Sequence, residues 1–287
     1  MARLRGALRQ GLDWRLLLFW VVGMVLPTLL AAMPIWRTLS GALDNYPLAH
    51  EVAQRFDMLA FSDLQSIVQR SSSALAGAAL LALLAAAAVS PLLTAAIMAA
   101  AAEDERTPTA SFAQRAIAWY GRSLRLWFVS LIPLALIGLA WLGISKGLAS
   151  YSERATLESR VVLGSWLAWL GIALLALLLH TSVEAGRAEL TANPESRSAF
   201  LAWLRGTRKA LRQPFQTLIL YLVPSALSLF VALLLAALRL HVSAESRPGF
   251  FFGALVTQLA VASIGWGRAS RLFALTALFR AESRLAE

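Results

Sequence analysis

His180, Glu184 and Arg187 follow one another at intervals of four and three residues, a spacing that sets them in line on one face of an α-helix. A histidine beside a carboxylate can move a proton, and an arginine there can hold the carboxylate ionised or bind an anion. Gln258 and Arg268, with Arg271 one turn beyond, lie on a second apolar segment and extend the set. The candidate polar lining is therefore His180, Glu184, Arg187, Gln258 and Arg268, with Thr181 beside it. A working site predicts that Glu184→Ala or Arg268→Ala abolishes activity and leaves membrane levels unchanged. An ion-paired helix end, its charges reaching for water, predicts normal activity in both.

Little else in the chain can do chemistry. No H-E-x-x-H, G-x-S-x-G or phosphate-binding P-loop occurs, so zinc protease, serine hydrolase and nucleotide hydrolase all lack their required groups. His50, His180 and His241 fall on three separate segments and do not converge on one metal. The absence of cysteine excludes disulfides, thiolate metal sites and cysteine nucleophiles. No aspartate, glutamate or lysine lies deep in an apolar segment, which disfavours a self-sufficient ion-coupled transporter. The expectation is a chain that is not an enzyme and carries no cofactor, catalytic or metal-binding residue.

The elements that must position these residues follow from composition. With 59% hydrophobic and 15% charged residues and a mean hydropathy of +0.65, the chain needs lipid as its solvent. A spanning helix takes about 20 apolar residues. Six segments qualify, roughly 16–36, 73–102, 124–145, 161–183, 214–238 and 250–267. The predicted fold is an all-α polytopic transmembrane bundle of about six helices, one transmembrane domain over 1–287, with interfacial amphipathic helices on the cytoplasmic side.

Placing the amino terminus inside gives four, four, six and four basic residues to the inner segments, eighteen in all, against three, three and two, or eight, outside. That asymmetry follows the positive-inside rule and sets both termini in the cytoplasm. The net charge of +10 then reads as topology and attraction to anionic lipid, with no nucleic-acid partner. The first apolar run is too long for a signal peptide and lacks an A-x-A site before Arg37, so it reads as a retained anchor. Arginine outnumbers lysine 24 to 2 among many alanines, a usage that points to a high-GC bacterium and its inner membrane.

Between spans, Thr107–Arg122 opens on a Thr-Pro helix start and carries Phe112, Arg115 and Trp119; Ser196–Arg212 carries Trp203 and Arg208. Both read as helices in the headgroup plane, as does a basic helix before the first span. Phe112, Arg115, Trp119, Trp203 and Arg208 are the candidate partner-docking residues. The outside segment 37–72 is amphipathic over Glu51–Val68 and reads as a helix capping the bundle, or as a partner surface. The second span is dominated by alanine, with Gly77, Ser90, Pro91 and Thr94, which suits a central, closely packed helix with a kink. Gly265-Trp266-Gly267 reads as a close-packing or flexible joint before an amphipathic tail.

The stretches Thr181–Ala188, Ser198–Gln213 and Phe250–Arg271 resemble a family of uncharacterised proteobacterial six-helix inner-membrane proteins, which implies the fold and no activity. In organisation the chain also resembles the permease subunits of ABC-2 type exporters: six spans, a cytoplasmic amphipathic helix before the first and another between spans two and three. That likeness implies a separate ATPase docking on the second of these helices. The segment between spans four and five is long, and no re-entrant hairpin precedes span six; both depart from the exporter pattern. Three readings stand: a permease-like subunit of a transport complex without its own ATPase, a non-catalytic membrane scaffold or assembly factor, and a lipid-handling membrane enzyme using His180 and Glu184. The partners implied are membrane lipids and other membrane subunits or a cytoplasmic ATPase, with homo-oligomers also compatible.

Overall fold

The computed structural model describes residues 2–44, 58–102, 109–154, 157–242 and 246–286. Helix accounts for nearly all of them, and no strand occurs among the described residues. The helices are α1 (Ala2–Gly11), α2 (Trp14–Leu43), α3 (Met58–Arg70), α4 (Ser72–Ala102), α5 (Thr109–Val129), α6 (Leu131–Arg154), α7 (Glu158–Ala192), α8 (Ala199–Arg212), α9 (Pro214–Leu240) and α10 (Arg247–Ala286). Among the described residues, six stretches are long and apolar enough to cross a membrane: Trp14–Gly41, Ser72–Ala102, Ser111–Glu153, Glu158–Ala192, Pro214–Leu240 and Arg247–Glu282. The protein is an all-α, multi-pass membrane protein, because in lipid an apolar segment must satisfy its backbone polar groups internally.

Local chemistry sets the breaks. Asp13 caps α2, its Oδ1 accepting from the Arg15 amide at 3.1 Å. Ser198 caps α8, its hydroxyl accepting from the Leu201 amide at 3.3 Å, and Pro214 opens α9 where no amide is needed. The expected interfacial helix up to Arg122 and span from Leu124 are divided differently: α5 runs on to Val129, and α6 begins at Leu131. Pro133 is the reason, since its ring presses on the carbonyl four residues back, that of Val129. Thr107 and Pro108 lie outside the described residues, as does Glu51–Asp57 of the expected outer helix; α3 covers the rest of that pattern.

The spans expected at 73–102 and 214–238 match α4 and α9 within two residues. Those expected at 16–36 and 161–183 continue as helix to Leu43 and Ala192. The largest departure is the sixth span, expected at 250–267 with a separate tail. It is one helix of 40 residues. Leu272, Phe273, Leu275, Thr276, Leu278 and Phe279 surround its axis rather than forming a stripe, and all are buried. A helix apolar all round packs inside protein and does not lie on a membrane surface.

The chain forms two compact units, Phe19–Leu93 and Met1–Leu18 with Thr94–Glu287. In the former, Gly23 lets α2 approach α4, for a Cβ there would stand 2.7 Å from a Leu93 methyl. In the latter, α10 packs against α9, α7 and α1, while α8 lies on α7 and α5 touches α8. Its core is concentrated at one end. Thr181–Thr191 of α7 is buried without interruption, as is Thr94–Ala99 of α4, whereas Leu163, Trp166, Leu170 and Leu174 are exposed along the rest of α7. Lipid is the medium in which such rods are stable.

Candidate functional site

The packed end of α7 carries His180, Glu184 and Arg187, as their spacing predicts. Glu184 is 1% exposed and Arg187 8%. Arg187 Nη1 donates to Glu184 Oε1 at 2.7 Å, a short charge-assisted bond. The ion pair is therefore enclosed, and Glu184 does not reach for water. α7 continues as helix to Ala192, buried from Thr181 to Thr191 and packed against α8 and α10, so the carboxylate is held inside the protein.

α9 and α10 complete the arrangement. Tyr221 Oη and His180 Nδ1 share a hydrogen bond of 2.8 Å. Arg271 lays its guanidinium over the Tyr221 ring at 5.0 Å, donates through Nη1 to Ser225 Oγ at 3.0 Å, and brings Nη2 to 3.8 Å from Glu184 Oε1. Arg268 Nη2 donates to Thr94 Oγ1 of α4 at 2.9 Å and lies within electrostatic reach of Glu184, Arg187 and Arg271. Gly267 permits this. A Cβ there would collide with the Ser228 hydroxyl of α9 and come within 3.2 Å of the Pro224 carbonyl oxygen, so the glycine lets α10 press against α9 one residue before Arg268. Of the two readings of Gly265-Trp266-Gly267, close packing fits a helix that runs through it unbroken. Trp266 also donates its indole N–H to the Leu8 carbonyl of α1 at 2.9 Å.

Four of the five proposed lining residues thus converge. Gln258 stands apart: ten residues before Arg268 on the same helix, it sits about 15 Å away along the axis. Tyr221, Ser225 and Thr94 join the cluster from other helices. The sequence signal for Tyr221 and Ser225 was faint, namely a tyrosine and a serine four residues apart flanking Pro224 in a largely apolar span.

A second polar layer lies one turn further along. Glu189 Oε2 pairs with Lys209 Nζ of α8 at 2.9 Å, and Lys209 also lies 5.5 Å above the Phe279 ring of α10. Of the aromatic residues expected to turn from α8 toward the acyl chains, Phe200 is exposed and Trp203 is half-buried against α7. The buried face of α8 is Ala199, Ala202 and Gly206, small residues turned to α7, and Phe200, Leu204 and Leu211 are exposed. Among the five docking candidates only Arg208 is exposed; Phe112, Arg115, Trp119 and Trp203 are half-buried. Trp203 donates its indole N–H to Ser182 Oγ at 3.1 Å, and Arg122 stacks over Trp119 at 4.8 Å.

No group of three histidine, aspartate or glutamate residues stands close enough to hold a metal among the described residues. The cluster offers a packed carboxylate, several guanidiniums and a histidine–phenol pair, a set suited to holding an anion. No family model, curated protein or solved structure matches the chain.

Proposed function

We propose that the chain is a permease-like subunit of a transport complex in a bacterial cytoplasmic membrane, with both termini and the arginine-rich end of the bundle inside the cell, and that it draws energy from a separate ATPase. The observation that carries this reading is the enclosed cluster of Glu184, Arg187, Arg268 and Arg271 on two spanning helices. Charged groups enclosed among packed helices are expensive to bury, and such clusters mark sites of substrates or partners. The arginine asymmetry of eighteen to eight supports the orientation. Arg208 and the exposed surface of α5, including Ile117, offer an outer surface to a soluble partner at that end.

Continuous burial of Thr181–Thr191 favours a second reading, a rigid scaffold for other membrane proteins. A lipid-handling enzyme is supported less, because Glu184 is already engaged by Arg187 and makes a poor general base. The test is purification from native membranes in mild detergent, followed by mass spectrometry and an ATPase assay. The transport reading expects an ATPase to accompany the chain and to hydrolyse ATP faster in its presence. Preparations that retain membrane partners but carry no ATP hydrolysis would favour the scaffold.

A further inference from the structure

We propose that Arg187, Arg268 and Arg271 form a binding site for a phosphate group at the level of one leaflet's headgroups. The inference rests on reading this cluster as the working site of the bundle, and it names the class of ligand.

Charge is the first argument. Arg187 and Arg271 address the same carboxylate oxygen, Oε1 of Glu184, at 2.7 and 3.8 Å, so one carboxylate faces two guanidiniums. Arg268, which donates to Thr94, stands nearby and adds to the positive field without being counted in this surplus. Charges in such packed surroundings are stable when paired, and an anion balances this group.

Donor geometry is the second. Arginine grips an anion through the edge formed by Nε and Nη2, which matches two oxygens of a carboxylate or phosphate. In Arg271, Nη1 is engaged by Ser225, Nε is buried with no hydrogen-bond partner, and Nη2 stands beyond hydrogen-bonding distance of Glu184. The fork edge is the part of the side chain left with donors to give. Arg187 and Arg271 keep 10% and 15% of their side-chain surface exposed, so a ligand meets these side chains at the surface and reaches the buried Nε by displacing what covers it. The guanidiniums of Arg187 and Arg271 together present more donors than the one carboxylate oxygen they share can accept, and a phosphate supplies the further acceptors.

Depth is the third. Along α7, Val161 to Glu184 spans about 35 Å, and along α10, Phe250 to Arg271 spans about 32 Å, at about 1.5 Å per residue. The hydrocarbon layer is about 30 Å thick, and a helix tilt of about 20° shortens these lengths only slightly. Starting from the opposite interface, both helices deliver their charged groups to the plane of lipid phosphates.

A lipid headgroup and free phosphate share this chemistry, and the experiment separates them. The purified full-length chain in neutral detergent is titrated with dioctanoyl phosphatidic acid, with dioctanoylglycerol, which lacks the phosphate, and with inorganic phosphate, read by tryptophan fluorescence and native mass spectrometry. Saturable binding of phosphatidic acid but not of dioctanoylglycerol is expected, weakened about tenfold in Arg271→Gln, less in Arg271→Lys, and unchanged in Arg205→Gln, an exposed arginine of α8. Inorganic phosphate competing at similar concentration would assign the site to free phosphate; no competition would assign it to lipid. Circular dichroism and gel filtration establish that each variant is folded. Wild-type binding by folded Arg271→Gln, or no saturable binding of either phosphate compound, would overturn the proposal. Since the assay needs no ATPase, phosphate binding by a chain that transports nothing would sink the transport reading alone. Transport of a phosphate-free substrate without phosphate binding would sink this inference alone.

Discussion

Gly206→Ala tests how the site is held in place. Gly206 of α8 faces the backbone of α7: a Cβ there would collide with the Ala185 carbonyl oxygen and stand 2.6 Å from the Ala185 carbonyl carbon and 2.8 Å from the Gly186 nitrogen. Gly186 answers from the other side, where a Cβ would lie 2.9 Å from Trp203 Cα. These are backbone atoms of two helices, so no side chain can swing aside. Carbon–carbon contacts settle near 3.5 Å, and α8 must withdraw by about 0.9 Å. The Trp203–Ser182 hydrogen bond, now 3.1 Å, then opens to about 4 Å and is lost. Overpacking of this kind costs about 1–3 kcal/mol and a lost hydrogen bond about 1 kcal/mol, against a gain of about 1 kcal/mol from replacing glycine within a helix. The net loss of about 1–3 kcal/mol lowers the melting midpoint by roughly 2–10 °C. The assay is thermal unfolding in detergent followed by tryptophan fluorescence, with Gly121→Ala as the control. A Cβ at Gly121 meets nothing within 4 Å, so only the helix-propensity gain applies and the midpoint holds or rises slightly. Equal melting of Gly206→Ala and wild type would refute the backbone contact between α7 and α8.

Glu184→Ala removes the carboxylate from an enclosed ion pair and leaves Arg187 facing Arg271, a loss of about 3–5 kcal/mol. The expected result is a marked fall in membrane levels and melting midpoint, partly restored when Arg187→Ala is added. This revises the expectation, drawn from sequence, that Glu184→Ala leaves levels intact; normal accumulation and melting of the single variant would refute the enclosed pair. For the topology, the chain has no cysteine, so single cysteines at the exposed Ser152 and Glu195 report unambiguously. A membrane-impermeant maleimide should label the first from outside intact spheroplasts and the second only after lysis; labelling of both from one side would refute the span between them.

What could be read from the sequence divides along a physical line. Interactions within one helix repeat at three or four residues, so His180, Glu184 and Arg187 were found together on one face, and the apolar length of each span announced a membrane helix. Contacts between helices leave no such period. Tyr221 meets His180 across 41 residues, and Arg268 meets Thr94 across 174; neither distance follows from any local rule. Gln258 failed to join the cluster for the complementary reason: its polarity was visible, but its register on α10 places it about 15 Å from Arg268. α8 shows that amphipathy alone does not say which face of a helix meets its neighbours. In water the apolar side turns inward, but a helix at a membrane has two apolar environments to choose from. Small residues then decide, because Ala202 and Gly206 let backbones touch while Phe200 and Leu204 gain nothing over lipid by turning inward. The same competition explains why the unit that holds α7 to α10 is packed around its arginines. Lipid solvates leucine as well as protein does, so the spans need no tight core. A buried carboxylate and several guanidiniums do need one, and the glycines at 186, 206 and 267 stand where helices must close around them.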